Sequence, residues 1–280
     1  MNTYIKMVGL DLDGTLLTSE KKLTDYTKNV LKQAIDQGCV VLVSTGRPLS
    51  AIPEELLRFP GMKYAVTANG ARIVDTESGD TLYENLVSVE KAVEVLDILE
   101  EYDNMFDIFI DGQGYTAADC MEHIWDYFPD PSMQRYILTT RIPVQNVKET
   151  LLLHNRPVDK VHGVFRNPEE KEKARQRVRT ISEIEVTGAF FHNLEVNAKG
   201  VTKGQALLRL GEMLGIKREE IMACGDGMND YEMLSAVGFG VAMGNAMEPL
   251  KEIADYITET NDENGVAKAI EKFVLRREGE

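Results

Sequence analysis

Met7-Val8-Gly9-Leu10-Asp11-Leu12-Asp13-Gly14-Thr15-Leu16-Leu17 is the stretch on which the reading of this chain turns. An apolar run leads into two carboxylates and a glycine. The pattern predicts a buried strand over Met7 to Leu10, closed by a glycine turn. Spare negative charge fits poorly at a buried strand end, because a carboxylate there loses its hydration. Two carboxylates one residue apart therefore call for a cation, a proton or a chemical task.

Outward from this stretch, strand and helix patterns alternate. Thr24 to Gln37 reads as a helix with Tyr26, Val30, Leu31, Ala34 and Ile35 on one face, stopped at Gly38. Cys39 to Ser44 is continuously apolar and β-branched, as a strand covered on both faces should be. Leu49 to Arg58 reads as a short helix and Tyr64 to Thr67 as another strand. Asn69-Gly70 marks a tight turn, followed by a hairpin of Ala71 to Val74 and Thr81 to Glu84. The character then shifts. Ser88 to Tyr102 looks helical, and Met105 to Ile110 looks like a strand closed by the turn Asp111-Gly112-Gln113-Gly114. Lys160 to Phe165 reads as a strand. Asn167-Pro168 caps a charged helix reaching about Thr180, and Ile184 to Thr187 and Phe190 to Val196 read as strands. From Thr202 the βα alternation returns, with strands at Ile221 to Cys224, Phe239 to Met243 and Tyr256 to Thr258. The helices between them are Thr202 to Leu214, Asp230 to Ala236, Ala246 to Ala254 and Val266 to Leu275.

The expected fold is thus α/β: a Rossmann-like, doubly wound parallel sheet at both ends of the chain, with an α+β domain inserted between them. The expected boundaries are 1-84 and 191-280 for the core and 85-190 for the insertion.

At 280 residues the chain is long enough for such a core and a second domain. The formal net charge of -15 argues against a nucleic-acid surface and against a polybasic membrane anchor. Three scattered cysteines, Cys39, Cys120 and Cys224, suggest a reducing compartment and no disulfide framework. The N-terminal residues lack a signal-peptide apolar segment, and no apolar run is long enough to cross a bilayer. The expected location is the cytoplasm.

Three more segments carry chemistry. In Ser44-Thr45-Gly46-Arg47-Pro48, a hydroxyl and a glycine amide at a strand end can hold a phosphate oxygen. In Gly200-Val201-Thr202-Lys203-Gly204, a lysine joins the positive end of a helix, a ready anion site. In Gly225-Asp226-Gly227-Met228-Asn229-Asp230, Asp226 can bind a hard cation while Asn229 and Asp230 orient its surroundings. Ligand crevices of open α/β sheets lie beyond the strands' carboxyl ends, so Asp11, Thr45 and Asp226 can converge.

In order and spacing, the four segments resemble the haloacid dehalogenase-like superfamily, and most closely its Cof-type phosphatases, which carry DxDGTL, TGRP, GxxKG and GDGMND. The resemblance covers nearly the whole chain and is weakest in the middle. It implies a phosphatase in which Asp11 attacks phosphorus and becomes an aspartyl phosphate. Asp13 would protonate the leaving oxygen and then activate water. Mg²⁺ would bind Asp11, Asp226 and the backbone carbonyl of Asp13. Thr45 and Lys203 would hold phosphoryl oxygens, assisted by Asn229, with Gly46 and Arg47 beside them. Asn69 and Gly70 would lie near the substrate, although a plain turn is the simpler reading of that pair. An aspartate rather than a threonine at position 13 favours hydrolysis over a lasting phosphoenzyme. Only about 30 residues separate the first two motifs, whereas about 155 separate Arg47 from Lys203. The insertion therefore resembles the large α/β cap of the Cof-type branch, which would cover the site and admit small phosphorylated metabolites, sugar phosphates first.

Two rivals stand beside this reading. One is a phosphotransferase or mutase of the same superfamily, and the other is a metabolite-binding regulatory protein without catalysis. The four histidines, His123, His154, His162 and His192, show no metal-ligand spacing. Cys224 reads as a small apolar residue. Among the middle aromatics, Tyr115 or Trp125 is the candidate to stack on a substrate.

Overall fold

The computed structural model describes residues 4–188 and 192–275. These form two compact units: Met1–Gly46, Pro53–Tyr83 and Thr202–Glu280 in the first, Arg47–Ile52 and Glu84–Val201 in the second.

The first unit holds an eight-stranded sheet. Its order is Tyr256–Ile257, Phe239–Ala242, Ile221–Gly225, Met7–Leu10, Val40–Ser44, Tyr64–Thr67, Arg72–Asp75 and Thr81–Glu84. The first six strands run parallel, and Arg72–Asp75 turns back antiparallel to Tyr64–Thr67. Met7–Leu10 is wholly buried and sits where the winding reverses, between Val40–Ser44 on one side and Ile221–Gly225 on the other. Asp11 and Asp226 thus emerge at the switch point of the sheet, where such folds bind their ligands. Asp25–Asp36 packs with Gly265–Phe273, and Lys203–Leu214 packs with Tyr231–Ala236. Thr24 caps the first of these helices through the Thr27 amide, and Thr202 caps the third through the Gln205 amide.

The second unit holds a six-stranded sheet ordered Ile184–Thr187, Asn193–Ala198, Lys160–Phe165, Asn104–Ile110, Gln113–Ala117 and Arg141–Val144. It carries the helices Val89–Leu99, Ala118–Glu122, Pro131–Thr140, Val147–His154 and Pro168–Val178. One row of its residues is polar and buried: Glu195, His162, Asp107 and Thr116 stand in register across four strands. Arg141 donates to Asp107 Oδ2 at 3.1 Å, and Lys160 pairs with Glu195.

Several expectations need correction. The expected domain boundary at 190 moves to 201, because Asn193–Ala198 pairs with Lys160–Phe165 and Ile184–Thr187 in the second sheet. Phe190, the expected start of that strand, lies outside the described residues. Leu49 to Arg58 is not one helix: Pro53 splits it into a turn at Leu49–Ala51 and a short helix at Glu54–Leu57. Tyr26 is exposed and hydrogen-bonds Glu271 rather than joining the apolar face. The turn after Ile110 is only Asp111-Gly112, both at positive φ, so Gln113 and Gly114 already belong to the next strand.

Candidate active site

Lys203 organises the first unit's polar centre. Its ammonium donates to Asp11 Oδ1 and to Asp230 Oδ1, each at 2.6 Å. All three residues are buried, and the lysine is about 1% exposed. The helix Lys203–Leu214 delivers it there because Asn69-Gly70 packs on the helix start. A Cβ on Gly70, whose φ is +104°, would stand 2.3 Å from the Thr202 carbonyl oxygen. That backbone conformation and approach suit glycine alone.

Asp226 completes the cluster. Carboxylate oxygens of Asp11, Asp226 and Asp230 lie within 4.8 Å of one another. Asp230 Oδ2 accepts the amides of Asp226 at 3.0 Å and Gly227 at 3.1 Å, which folds the loop back on itself. Asp230 is therefore committed to Lys203 and to its own loop. Thr15 Oγ1 donates to Asp226 Oδ1 at 2.8 Å. Lys203 thus bonds one oxygen of Asp11, and Thr15 bonds one oxygen of Asp226.

The charge balance is lopsided, with one ammonium against three carboxylates. Burial pushes the Asp11 carboxyl up to about 8; Lys203 pulls the other way, while Asp230 and Asp226 push it further up. Burial and Asp230 raise Asp226 to about 6. Burial alone would lower the Lys203 ammonium, but Asp11 and Asp230 outweigh it and hold it above its ordinary value. A divalent cation between Asp11 and Asp226 would supply the missing positive charge. Hard oxygen donors at this density suit Mg²⁺.

Beside the carboxylates lie the expected anion-holding residues. Thr45 is buried; its amide bonds Val66 and its carbonyl receives the Asn69 amide, at 2.9 and 3.0 Å. At Gly46 a Cβ would stand 2.7 Å from Asn69 Oδ1 and 3.8 Å from Asn229 Nδ2, so these three residues are neighbours. Asn69 is buried at positive φ, in the turn Ala68–Gly70. Asp13 Oδ1 accepts from Lys21 at 2.7 Å, and the side chain is partly exposed. Arg47 belongs to the second unit, where its guanidinium donates to the Ala51 carbonyl at 2.9 Å and lies 4.9 Å over the Tyr136 ring. It clasps the segment 47–52. In the same unit, Tyr115 packs on the His154 ring and Trp125 is largely exposed.

Sequence reasoning missed three residues. Thr15 lies inside the opening motif but drew no role. Asn245 donates to the Gly14 carbonyl at 2.8 Å and lies far off in sequence. Lys21 gives no local signal for its bond to Asp13.

The model of the haloacid dehalogenase-like hydrolases matches residues 8–270. The chain is 31% identical over 272 residues to the 5-amino-6-(5-phospho-D-ribitylamino)uracil phosphatase YcsE of Bacillus subtilis, covering 97% of this chain and 96% of that one. It is 35% identical to the phosphatase YwpJ of the same organism, over 94% of this chain and 98% of that protein. Among solved structures, a haloacid dehalogenase-like hydrolase from B. subtilis superposes with a TM-score of 0.85 at 32% identity, covering 97% and 100% of the two chains. The chain belongs to the haloacid dehalogenase-like hydrolases, in their Cof-type branch. It is an enzyme of the phosphoric monoester hydrolase class.

Proposed function

We propose that this chain is a Mg²⁺-dependent phosphatase of small phosphorylated metabolites, acting through an aspartyl phosphate on Asp11. The observation that carries the reading is the buried Lys203 bridging Asp11 and Asp230 with Asp226 alongside. Sugar and sugar-alcohol phosphates are the first substrate class. The phosphoribityl group in the name of the Bacillus subtilis relative supports that choice.

Asp11 attacks phosphorus in line, and its oxygen bonds to phosphorus as the ester P–O bond breaks. The electron pair of that bond goes to the leaving oxygen, which takes a proton from Asp13. Asp13, now a carboxylate, takes a proton from water. The resulting hydroxide attacks phosphorus and releases phosphate and Asp11. Lys203 keeps Asp11 aimed and, with Thr45, the Gly46 amide and Asn229, holds the phosphoryl oxygens. Phosphoryl transfer relies mainly on such positioning and charge neutralisation. Mg²⁺, when bound by Asp11, Asp226 and the Asp13 backbone carbonyl, supplies positive charge against the phosphoryl oxygens. We assign the second unit the substrate-selecting part that the family's insertion implies. The location that goes with this reading is the cytoplasm.

The test is phosphate release with Mg²⁺ across sugar phosphates, sugar-alcohol phosphates, nucleotides and phosphorylated cofactors, with Asp11→Asn as the blank. Release by wild type alone supports the proposal. Transfer to an acceptor sugar instead of water replaces hydrolysis with phosphotransfer. Silence on every compound from folded, metal-bound protein points to the regulatory reading.

A further inference from the structure

We propose that Lys21 is a positioning residue for the acid–base step, holding the Asp13 carboxylate in the orientation that meets the leaving oxygen. The inference rests on the role of Asp13 given above. Two independent observations point to Lys21. Its ammonium donates to Asp13 Oδ1 at 2.7 Å, eight residues back along the chain. Its backbone has φ +61°, the left-handed region that residues other than glycine, asparagine and aspartate rarely adopt. A lysine kept in a disfavoured conformation at a site is a sign that the side chain is needed where it points.

The perch of Lys21 is built from several directions. Its amide donates to the Thr18 carbonyl at 2.8 Å, and the Thr18 amide donates to the Lys22 carbonyl at 3.0 Å, closing a tight turn. The Lys22 amide also donates to Thr18 Oγ1 at 3.2 Å. Asp262 grips the turn through the Ser19 amide and hydroxyl, at 2.8 and 2.7 Å. Asn261 Nδ2 donates to the Leu17 carbonyl at 2.9 Å. The loop that follows the Asp13 turn is thus tied to residues some 240 positions away, and Lys21 projects from its tip. By bonding one carboxylate oxygen, the ammonium fixes the rotation of the Asp13 carboxylate about its Cβ–Cγ bond. As a partly exposed ion pair it adds little to stability, so its worth lies in aim.

The step that depends on this aim is proton transfer. As the ester P–O bond breaks, its electron pair moves to the leaving oxygen, and the Asp13 proton moves to that same oxygen. An alkyl phosphate needs the proton, because an alkoxide leaves poorly. An aryl phosphate such as p-nitrophenyl phosphate needs it far less. Mis-aimed Asp13 should therefore be felt selectively.

The experiment compares kcat and KM for glycerol phosphate and p-nitrophenyl phosphate, with Mg²⁺, in wild type, Lys21→Met, Lys21→Arg, Lys21→Gly, Asp13→Asn and Asp11→Asn. General acid catalysis is typically worth about 10²–10⁴-fold, so Lys21→Met should lose about tenfold or more in kcat on the alkyl ester. The loss on the aryl ester should be several-fold smaller, with KM little changed. Lys21→Arg should recover most of the activity. Lys21→Gly relieves the backbone, so it should keep or raise the melting temperature while losing alkyl-ester turnover. A merely structural lysine would not separate those two readouts. Equal losses on both esters, or no loss on the alkyl ester, overturn the inference. Asp13→Asn without leaving-group selectivity overturns it together with the role of Asp13. Residual activity in Asp11→Asn overturns the aspartyl-phosphate reading itself, a separately visible failure.

Discussion

Replacing Gly14 by alanine should damage the site through a single methyl group. Gly14 has φ +83°, and a Cβ built there falls 2.3 Å from Asp226 Oδ2. Real Cβ atoms essentially never approach another atom closer than 3.0 Å, so the Asp226 carboxylate must retreat by most of an ångström. It cannot simply swing away, because Thr15 holds Oδ1 at 2.8 Å and Asp230 pins the Asp226 amide at 3.0 Å. The left-handed backbone adds roughly 1–2 kcal/mol for a residue with a Cβ. A displacement on that scale at a reacting centre can lower turnover about 10²-fold. The assay is kcat/KM against Mg²⁺ concentration, run beside urea unfolding of the same samples. The expected result is a folded protein, destabilised by roughly 1–2 kcal/mol, that has lost about two orders of magnitude in activity and needs more Mg²⁺. Activity within twofold of wild type at unchanged Mg²⁺ dependence would refute the assignment of Asp226 and the reason for the glycine.

Three further outcomes follow from the same geometry. Thr15→Val removes the hydroxyl on Asp226 Oδ1, and Mg²⁺ affinity should fall about tenfold; an unchanged activation curve with Mg²⁺ would contradict that. Lys203→Met strands Asp11 and Asp230 in the interior and should destabilise the fold by about 3–5 kcal/mol; an unmoved urea midpoint would show that the ion pairs do not hold the centre. In the second unit, burial alone would raise the Asp107 carboxyl, but Arg141 and His162 outweigh it and bring it down to about 2. A depressed carboxylate stabilises the fold above its unfolded value of 3.8 and loses that contribution as pH falls toward about 2. The amount is about 2 kcal/mol. Urea unfolding between pH 5 and pH 2 should show this slope, and Asp107→Asn should lack it.

Most of the first unit was legible because its signals are local. Val40–Ser44 and Ile221–Gly225 are short, nearly continuous apolar runs, as strands covered on both faces must be. Asp11, Thr45 and Asp226 follow directly on such runs, and the sheet order sets those strand ends side by side. What stayed hidden depends on tertiary contact. Lys203 is legible as a site lysine from its motif, but nothing within its turn reports that it is buried against Asp11, 192 residues away. Pro131–Thr140 has aromatic, β-branched and hydroxyl residues and buries only Ile137, so it lacks a clear apolar stripe despite the start signal of Asp130-Pro131. Val147–His154 leaves Leu152 and Leu153 exposed, which blurs its periodicity in the same way. The misplaced boundary has a related cause. Asn193–Ala198 is buried at every position yet alternates polar with apolar residues, because one face of the second sheet is itself polar. Glu195 there is paired with Lys160 across strands, a match that no local pattern announces.

The most direct measurement is to find the phosphoryl group on the protein. Wild type should be quenched during turnover of a sugar phosphate and treated with borohydride, which reduces an acyl phosphate to the alcohol. The peptide containing residue 11 should then be sequenced by mass spectrometry. The account predicts homoserine at position 11, dependent on substrate and absent from Asp11→Asn. Steady phosphate release with aspartate intact at position 11, or with the reduced residue elsewhere, would contradict it.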